Sequence, residues 1–309
     1  MYLCKKARMS KQIPNLIPGD KIMIVSPAKS IEPSLVFEAK EFWENQGFKV
    51  VLGEYCMGQH HYFSGTDEER RSDFQEAIDN PEIKAIICAR GGYGCIRILD
   101  KIQWAAFIQQ PKWIVGFSDI TVIHQRIHKY GLKSIHATMP LNYSENSSQA
   151  LETLVKSVKG ELKYLHIKET KALKKGKATG RLIGGNLSIL YSLLGTDDQA
   201  DYTDSILFIE DLAEQIYHLD RMFYAFEKAG IFQQIKGLII GSFTDLKDTE
   251  VPFGKSFQET LLEHFHYRNI PIVMDFPAGH IPDNRALILG SEIILAVEDD
   301  ACILSFLNI

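Results

Sequence analysis

Apolar and polar positions along this chain switch repeatedly between two periods. Lys21-Ile-Met-Ile-Val25, Phe48-Lys-Val-Val-Leu52, Ile83-Lys-Ala-Ile-Ile-Cys-Ala89 and Lys112-Trp-Ile-Val-Gly-Phe117 are short apolar runs bounded by turn residues. They predict buried strands. Between them the spacing turns helical. Leu35, Ala39, Phe42, Trp43 and Gln46 mark one face of a helix starting near Pro33, and Gly47 closes it. Thr66-Asp-Glu-Glu69 is a capping box that opens a helix running to about Asn80. A short helix is expected from the end of Arg90-Gly-Gly-Tyr-Gly94 through Leu99. Ile120, Ile123 and Ile127 predict another from Asp119 toward Gly131, and Leu132–Met139 reads as a further strand ending at Pro140. Strands alternating with helices imply βαβ units and a mostly parallel sheet, hence the α/β class.

The second half has its own pattern. Residues 142–178 are polar and then lysine-rich, with a helix near 149–158 and an edge strand near 162–167. This divides the chain into an N-terminal α/β domain (1–145), a crossing segment (146–178) and a C-terminal domain (179–309). Within the last, Ala178–Ile183, Ser205–Ile209, Lys236–Ile240 and Ile270–Phe276 are predicted strands. Gly184-Gly185 reads as a turn into a helix, and Glu210-Asp211 as the end of a strand. Leu287–Leu289, Ile293–Val297 and Cys302–Phe306 look like closing strands.

Composition narrows the function classes. A chain of 309 residues with 45% hydrophobic and 24% charged residues has ample core for one large or two ordinary domains. A net charge of -5 argues against a general affinity for nucleic acid or anionic membrane. No apolar run approaches the ~20 residues that span a bilayer. The first residues are basic but lack an apolar h-region, so no secretory signal is expected, and Met9 is an alternative start. The five cysteines (4, 56, 88, 95, 302) are scattered, which argues against a disulfide framework or a zinc site and makes a cytoplasmic location the expectation.

In open parallel sheets functional groups gather beyond the carboxyl ends of strands. Two predicted turns lie there. Ser118 sits between a strand and a helix, the setting of a nucleophile elbow or simply of a helix cap. The Arg90–Gly94 turn holds three glycines. As a dinucleotide site it fails, because Arg97 stands where the third glycine belongs, and no Gly-Lys-Ser/Thr follows for a P-loop. It is either an ordinary turn or part of an oxyanion hole, in which one of its N–H groups converges with that of Asp119. Farther on, Glu210 ends an apolar run and His280 follows a glycine in a Pro/Gly-rich loop. Asp211 and Glu214 compete as acids, and His60, His61, His124, His128, His136 and His218 as imidazoles. His124 and His128 are four apart on one helix, but Gln125 replaces the glutamate of HExxH, so a metal reading is weak. A serine becomes nucleophilic when a base takes its proton and an acid orients that base.

The chain resembles the LD-carboxypeptidase family of serine peptidases, which includes murein tetrapeptide carboxypeptidases and microcin C self-immunity proteins. The resemblance rests on Ala89-Arg-Gly-Gly-Tyr-Gly94, Gly116-Phe-Ser-Asp119, Gly180-Arg-Leu-Ile-Gly-Gly-Asn-Leu187, Ile209-Glu-Asp211 with Tyr217-His-Leu-Asp-Arg221, and Gly279-His280. It implies Ser118 as nucleophile, His280 as base, Glu210 as its orienting acid, and an oxyanion hole from the N–H groups of Gly92 and Asp119. It also implies a flavodoxin-like N-terminal domain beside a distinct C-terminal α/β domain, a homodimer, a small muropeptide substrate, and no metal or organic cofactor. A carboxypeptidase must bind a terminal carboxylate. Arg90 with Gly91, or the amides near Gly185 and Asn186, are placed to do so. The implied reaction is release of D-alanine in cell-wall recycling. The alternatives are hydrolysis of a microcin C-like peptide–nucleotide conjugate, or a non-catalytic binding module on the same fold. One departure stands out: where the family often reads His-Gly-Pro, this chain has His136-Ala-Thr-Met-Pro140. No substrate contact of that turn is carried over.

Overall fold

The computed structural model describes residues 12–307. Cys4 and the alternative start at Met9 lie outside them. The first sheet is built from β1 (Lys21–Val25), β2 (Lys49–Leu52), β3 (Ile83–Cys88), β4 (Trp113–Gly116) and β5 (Ser134–His136). These run parallel in the order 2-1-3-4-5, the flavodoxin-like arrangement. The runs that predicted β1, β3 and β4 are buried on both faces, as central parallel strands require, whereas β2, expected as buried, lies at the sheet edge with Lys49 exposed and the rest half-buried. Helices α1 (Pro33–Asn45), α2 (Asp67–Asp79), α3 (Cys95–Leu99), α4 (Ala105–Gln109) and α5 (Thr121–Lys129) connect them. Val36, Ala39 and Trp43 form the buried face of α1, and the Thr66–Glu69 capping box opens α2 as expected.

The segment expected as a crossing supplies α6 (Ser148–Val158) and then two strands of a second sheet, β6 (Tyr164–Lys168) and β7 (Lys171–Lys174). That sheet continues with β8 (Gly176–Asn186), β9 (Ser205–Leu212), β10 (Gly237–Thr244) and β11 (Ile272–Met274). Helices α7 (Leu187–Ser192), α8 (Ile216–Lys228), α9 (Ile231–Gln234) and α10 (Phe257–Glu263) lie between these strands in the chain. After β11 come β12 (Leu287–Leu289), β13 (Glu292–Val297) and β14 (Ala301–Leu307). The second sheet has the order 6-14-13-8-9-10-11-7, with β8 to β11 parallel and the outer strands antiparallel.

Three readings of the sequence are corrected. Gly184 and Gly185 are not a turn; they are the last part of β8. A Cβ on Gly184 would stand 1.8 Å from the Phe208 carbonyl oxygen, so glycine is what lets β8 lie against β9 there. Glu210 does not end its strand, because β9 stays paired with β10 through Leu212. And β12, from the C-terminal part of the chain, pairs antiparallel with β5 at the edge of the first sheet. The chain therefore crosses between the sheets more than once, and one apolar core includes residues of both, among them Val115, Ile135, Phe208 and Leu287.

The seam between the sheets is polar as well as apolar. The Asn186 N–H donates to Thr121 Oγ1 at 3.1 Å and Gln125 Nε2 donates to the Gly184 carbonyl at 3.2 Å. The Arg126 guanidinium grips both oxygens of Asp198. Among the described residues no helix is long and apolar enough to cross a membrane.

Gly184→Ala is expected to force β8 away from β9 and destabilise the protein by about 3 kcal/mol. Thermal unfolding should show Tm lowered by about 5 °C. An unchanged Tm would mean that the strands separate freely at this point.

Candidate active site

The elbow after β4 has a local cause. Ser118 has φ +61°, a left-handed conformation that a non-glycine residue holds at a cost of about 1–3 kcal/mol. Gly116 makes the sharp turn possible, since a Cβ there would lie 2.8 Å from Ile120 Cγ1. The capping reading of Ser118 does not hold. Phe117 and Ile120 are the N-cap residues of the short 3-10 turn (Ser118–Ile120) and of α5, and neither cap has a side-chain hydrogen bond. Ser118 lines a cavity of about 420 Å³, and its hydroxyl has no hydrogen-bond partner among the described residues.

The Arg90–Gly94 turn packs on this elbow. A Cβ on Gly91 would come within 3.2 Å of both Ser118 Oγ and the Asp119 nitrogen, so the missing side chain leaves open the space beside the hydroxyl. Gly92 has φ +105°, which turns the chain across the elbow. Asp119 joins the two turns: its buried carboxylate accepts the Cys95 N–H at 2.8 Å and so caps α3. Burial raises its pKa. Arg70 was not singled out by sequence reasoning. It is fully buried on α2, and its guanidinium donates to the carbonyls of Pro27, Gly65 and Gly94, with Asp67 as counter-charge at 2.5 Å. The only trace of this in the sequence is an arginine on the inward face of a helix.

The candidate acid and base come from the other sheet. Glu210 on β9 has no solvent exposure, and its Oε2 lies 2.7 Å from His280 Nδ1. Burial opposes the imidazolium, but the charge and hydrogen bond of Glu210, with Asp211 behind, outweigh it and raise the pKa of His280. The ring packs on Phe117, centroid to centroid 4.8 Å, next to Ser118 in the chain. His280 and Ser118 line the same cavity, without a hydrogen bond between them.

The competing groups are occupied elsewhere. Alternation along β9 sends Asp211 to the opposite face, where it accepts from Asn186 Nδ2 (2.9 Å) and from the N–H groups of Ser188 and Leu212. Burial and the nearby Glu210 charge push its pKa up to about 6. Glu214 pairs with His218 Nδ1 at 2.5 Å. His124 donates from Nε2 to the Gly116 carbonyl oxygen at 2.9 Å, and burial lowers its pKa to about 4. His128 and His136 are buried and held well below the ordinary range for the same reason. No group of three or more metal-ligating side chains occurs among the described residues. His60 and His61 are exposed and stack on each other.

Of the suggested substrate contacts, Arg90 and Gly91 line the cavity, and Arg90 is steadied by donating to the Ser30 carbonyl at 3.0 Å. Gly185 and Asn186 do not line it. A Cβ on Gly185 would meet the Thr121 side chain, and the Asn186 side chain caps α7 and holds Asp211. Met139, Leu141, Asn142, Glu145 and Asn146 complete one wall, Ile281 and Pro282 another.

Comparison with known proteins supplies the family. Residues 22–137 match the LD-carboxypeptidase N-terminal domain and residues 179–295 the C-terminal domain. A relative from Synechocystis sp. that bears a carboxypeptidase name is 37% identical, over 94% of this chain and 96% of its own. The microcin C7 self-immunity protein of Escherichia coli is 28% identical, over 92% of each chain. The crystal structure of muramoyltetrapeptide carboxypeptidase from Oxalobacter formigenes superposes with a TM-score of 0.83 at 28% identity, covering 93% of this chain and 98% of that one. Two matched domains, with a strained serine on the first and a buried Glu–His pair on the second, place this chain in the LD-carboxypeptidase family.

Proposed function

We propose that the protein is a serine carboxypeptidase that hydrolyses the bond between an L-centre and a terminal D-alanine of a murein tetrapeptide, in cytoplasmic cell-wall recycling and as a homodimer. One observation carries the reading: His280, its Nδ1 held by a buried carboxylate, shares a cavity with a serine kept in a strained elbow. Substrate binding brings Ser118 Oγ within hydrogen-bond reach of His280 Nε2. Oγ attacks the scissile carbonyl carbon as His280 takes the hydroxyl proton. The N–H groups of Gly92 and Asp119 hold the oxyanion. His280 then protonates the departing amine of D-alanine, leaving an ester on Ser118. Water gives a proton to His280 and adds to the ester carbon; the carbon–Oγ bond then breaks, His280 returns the proton to Oγ, and the shortened peptide leaves with a new carboxyl group. No step in this scheme uses a metal or an organic cofactor.

The likeness to a microcin self-immunity protein favours a second reading, hydrolysis of a peptide–nucleotide conjugate by the same residues. Muropeptide and aminoacyl-sulfamoyl-nucleoside assayed side by side, with products read by mass spectrometry, separate the two. A binding module would leave both intact.

Ser118→Ala should abolish D-alanine release while the far-UV spectrum and Tm stay close to wild type; sustained turnover would refute the nucleophile assignment. The pH profile tests the pair. His280 must be neutral to accept a proton, and its pKa is raised. The acid limb of kcat/KM should therefore lie above the ~6.5 of an unperturbed imidazole. Glu210→Gln removes the charge that raises it and leaves burial, which lowers it. That limb should move to lower pH, with kcat down by about 10³–10⁴. A limb that stayed in place would disconnect Glu210 from the base.

A further inference from the structure

Two carboxylates stand side by side on β9 with almost no access to water, Glu210 and Asp211. Glu210 holds His280; Asp211, on the other face, has no ion pair among the described residues. A buried acid in such a place is ordinarily a helix cap, and Asp211 Oδ2 does accept the Ser188 N–H in the first turn of α7 (2.8 Å). Its other oxygen reaches elsewhere. Oδ1 accepts the Leu212 N–H and Asn186 Nδ2, each at 2.9 Å. Asn186 ends β8, and its own N–H donates to Thr121 Oγ1 at 3.1 Å. Thr121 is the residue on which the Ser118 elbow turn ends and α5 begins.

Thr121, Asn186 and Asp211 are all buried, so these hydrogen bonds do not compete with water. Their fit is close. A Cβ on Gly185, the residue before Asn186, would lie 2.5 Å from Thr121 Oγ1, so β8 meets the start of α5 without slack. The path from Ser118 through Thr121, Asn186 and Asp211 to Glu210 thus joins the elbow to the Glu210–His280 pair, with no part taken by a substrate. It also carries charge. Burial lowers the pKa of His280, the charge and hydrogen bond of Glu210 raise it, and the Asp211 charge raises it further. Burial and the Glu210 charge push Asp211 itself up to about 6, so it is mostly ionised at neutral pH. The other titratable groups around His280 are His136, buried beside Phe117 and held neutral by that burial, and Arg90 and Glu145, which line the cavity.

We propose that Asp211 is a positioning residue, which through Asn186 and Thr121 holds the Glu210–His280 pair in register with the Ser118 elbow. The inference rests on the proposed hydrolytic mechanism and adds to it the residues that align acid, base and nucleophile. Thr121→Val keeps the branched side chain and removes the hydroxyl. Its kcat should fall by about 10–10²-fold with KM within about twofold of wild type, since a misplaced base slows chemistry and leaves binding intact. Thr121→Ser should return kcat to within about threefold of wild type. Asp211→Asn should lower kcat in the same way. It should also move the acid limb of kcat/KM to lower pH, by less than Glu210→Gln does, because a nearby negative charge raises an imidazole pKa. The double variant should be no slower than the slower single one, as two cuts in one path of contacts are not independent. A Thr121→Val or Asp211→Asn protein that loses Tm but keeps wild-type kcat overturns the proposal, and so do losses that multiply in the double variant. The titration midpoint of His280, followed by NMR in protein with isotope-labelled histidine, needs no substrate and should shift down in Asp211→Asn. If wild type cleaves no peptide, the carboxypeptidase reading fails, and the midpoint alone decides: an unmoved one overturns the role of Asp211.

Discussion

A carboxylate with no access to water lies where the two sheets meet, and much of the molecule follows from keeping Glu210 paired. An ion so buried costs several kcal/mol unless a partner and hydrogen bonds offset it. His280 supplies the partner, which requires the loop after β11 to fold back on β9. Two glycines permit that approach. A Cβ on Gly279 would lie 2.8 Å from Glu210 Oε2, and one on Gly241 would lie 2.4 Å from the Ala278 carbonyl oxygen. Asn284 then holds the Gly279 N–H at 2.8 Å, and the chain runs on to place β12 on the first sheet. The loop that brings His280 to Glu210 is thus also the one that leads β12 to the first sheet.

Ser118, the proposed nucleophile, is positioned by a different kind of constraint. Ser118 is strained, and the strain persists because its surroundings leave no alternative. Gly116 and Gly91 clear space around it, Asp119 ties the elbow to α3, and Arg70 locks the glycine turn from below. Since Ser118 and His280 belong to different sheets, their alignment depends on the seam formed by Thr121, Gln125 and the Arg126–Asp198 pair. In the proposed mechanism a displacement of about 1 Å there would cost roughly 10²-fold in rate.

Much of the first domain was legible. Buried parallel strands write themselves as continuous apolar runs, and the Thr66–Glu69 box marks a helix start within four residues. The candidate residues were legible only through motif order, because nothing in the sequence near Ser118 distinguishes an elbow from a cap. The misreadings share a cause. Glycine usually signals a turn, yet Gly184 and Gly185 serve the close approach of β9 and of Thr121, neighbours from distant parts of the chain. Likewise an acid after an apolar run looks like a strand end, but Glu210 is inside β9 because β10 continues beside it.

The sequence by itself determined the periodicities, the caps, the glycines and the order serine, glutamate, histidine, since each is written in a few adjacent residues. Tertiary structure alone decided that Ser118 would be held left-handed and would not cap its helix. It also decided that Glu210 and not Asp211 faces His280, that β12 returns to the first sheet, and that Asn186 links Asp211 to Thr121. The reason is physical. Side-chain direction and backbone conformation follow from neighbours along the chain, whereas burial, ion pairing and access to a cavity depend on which distant surfaces pack together.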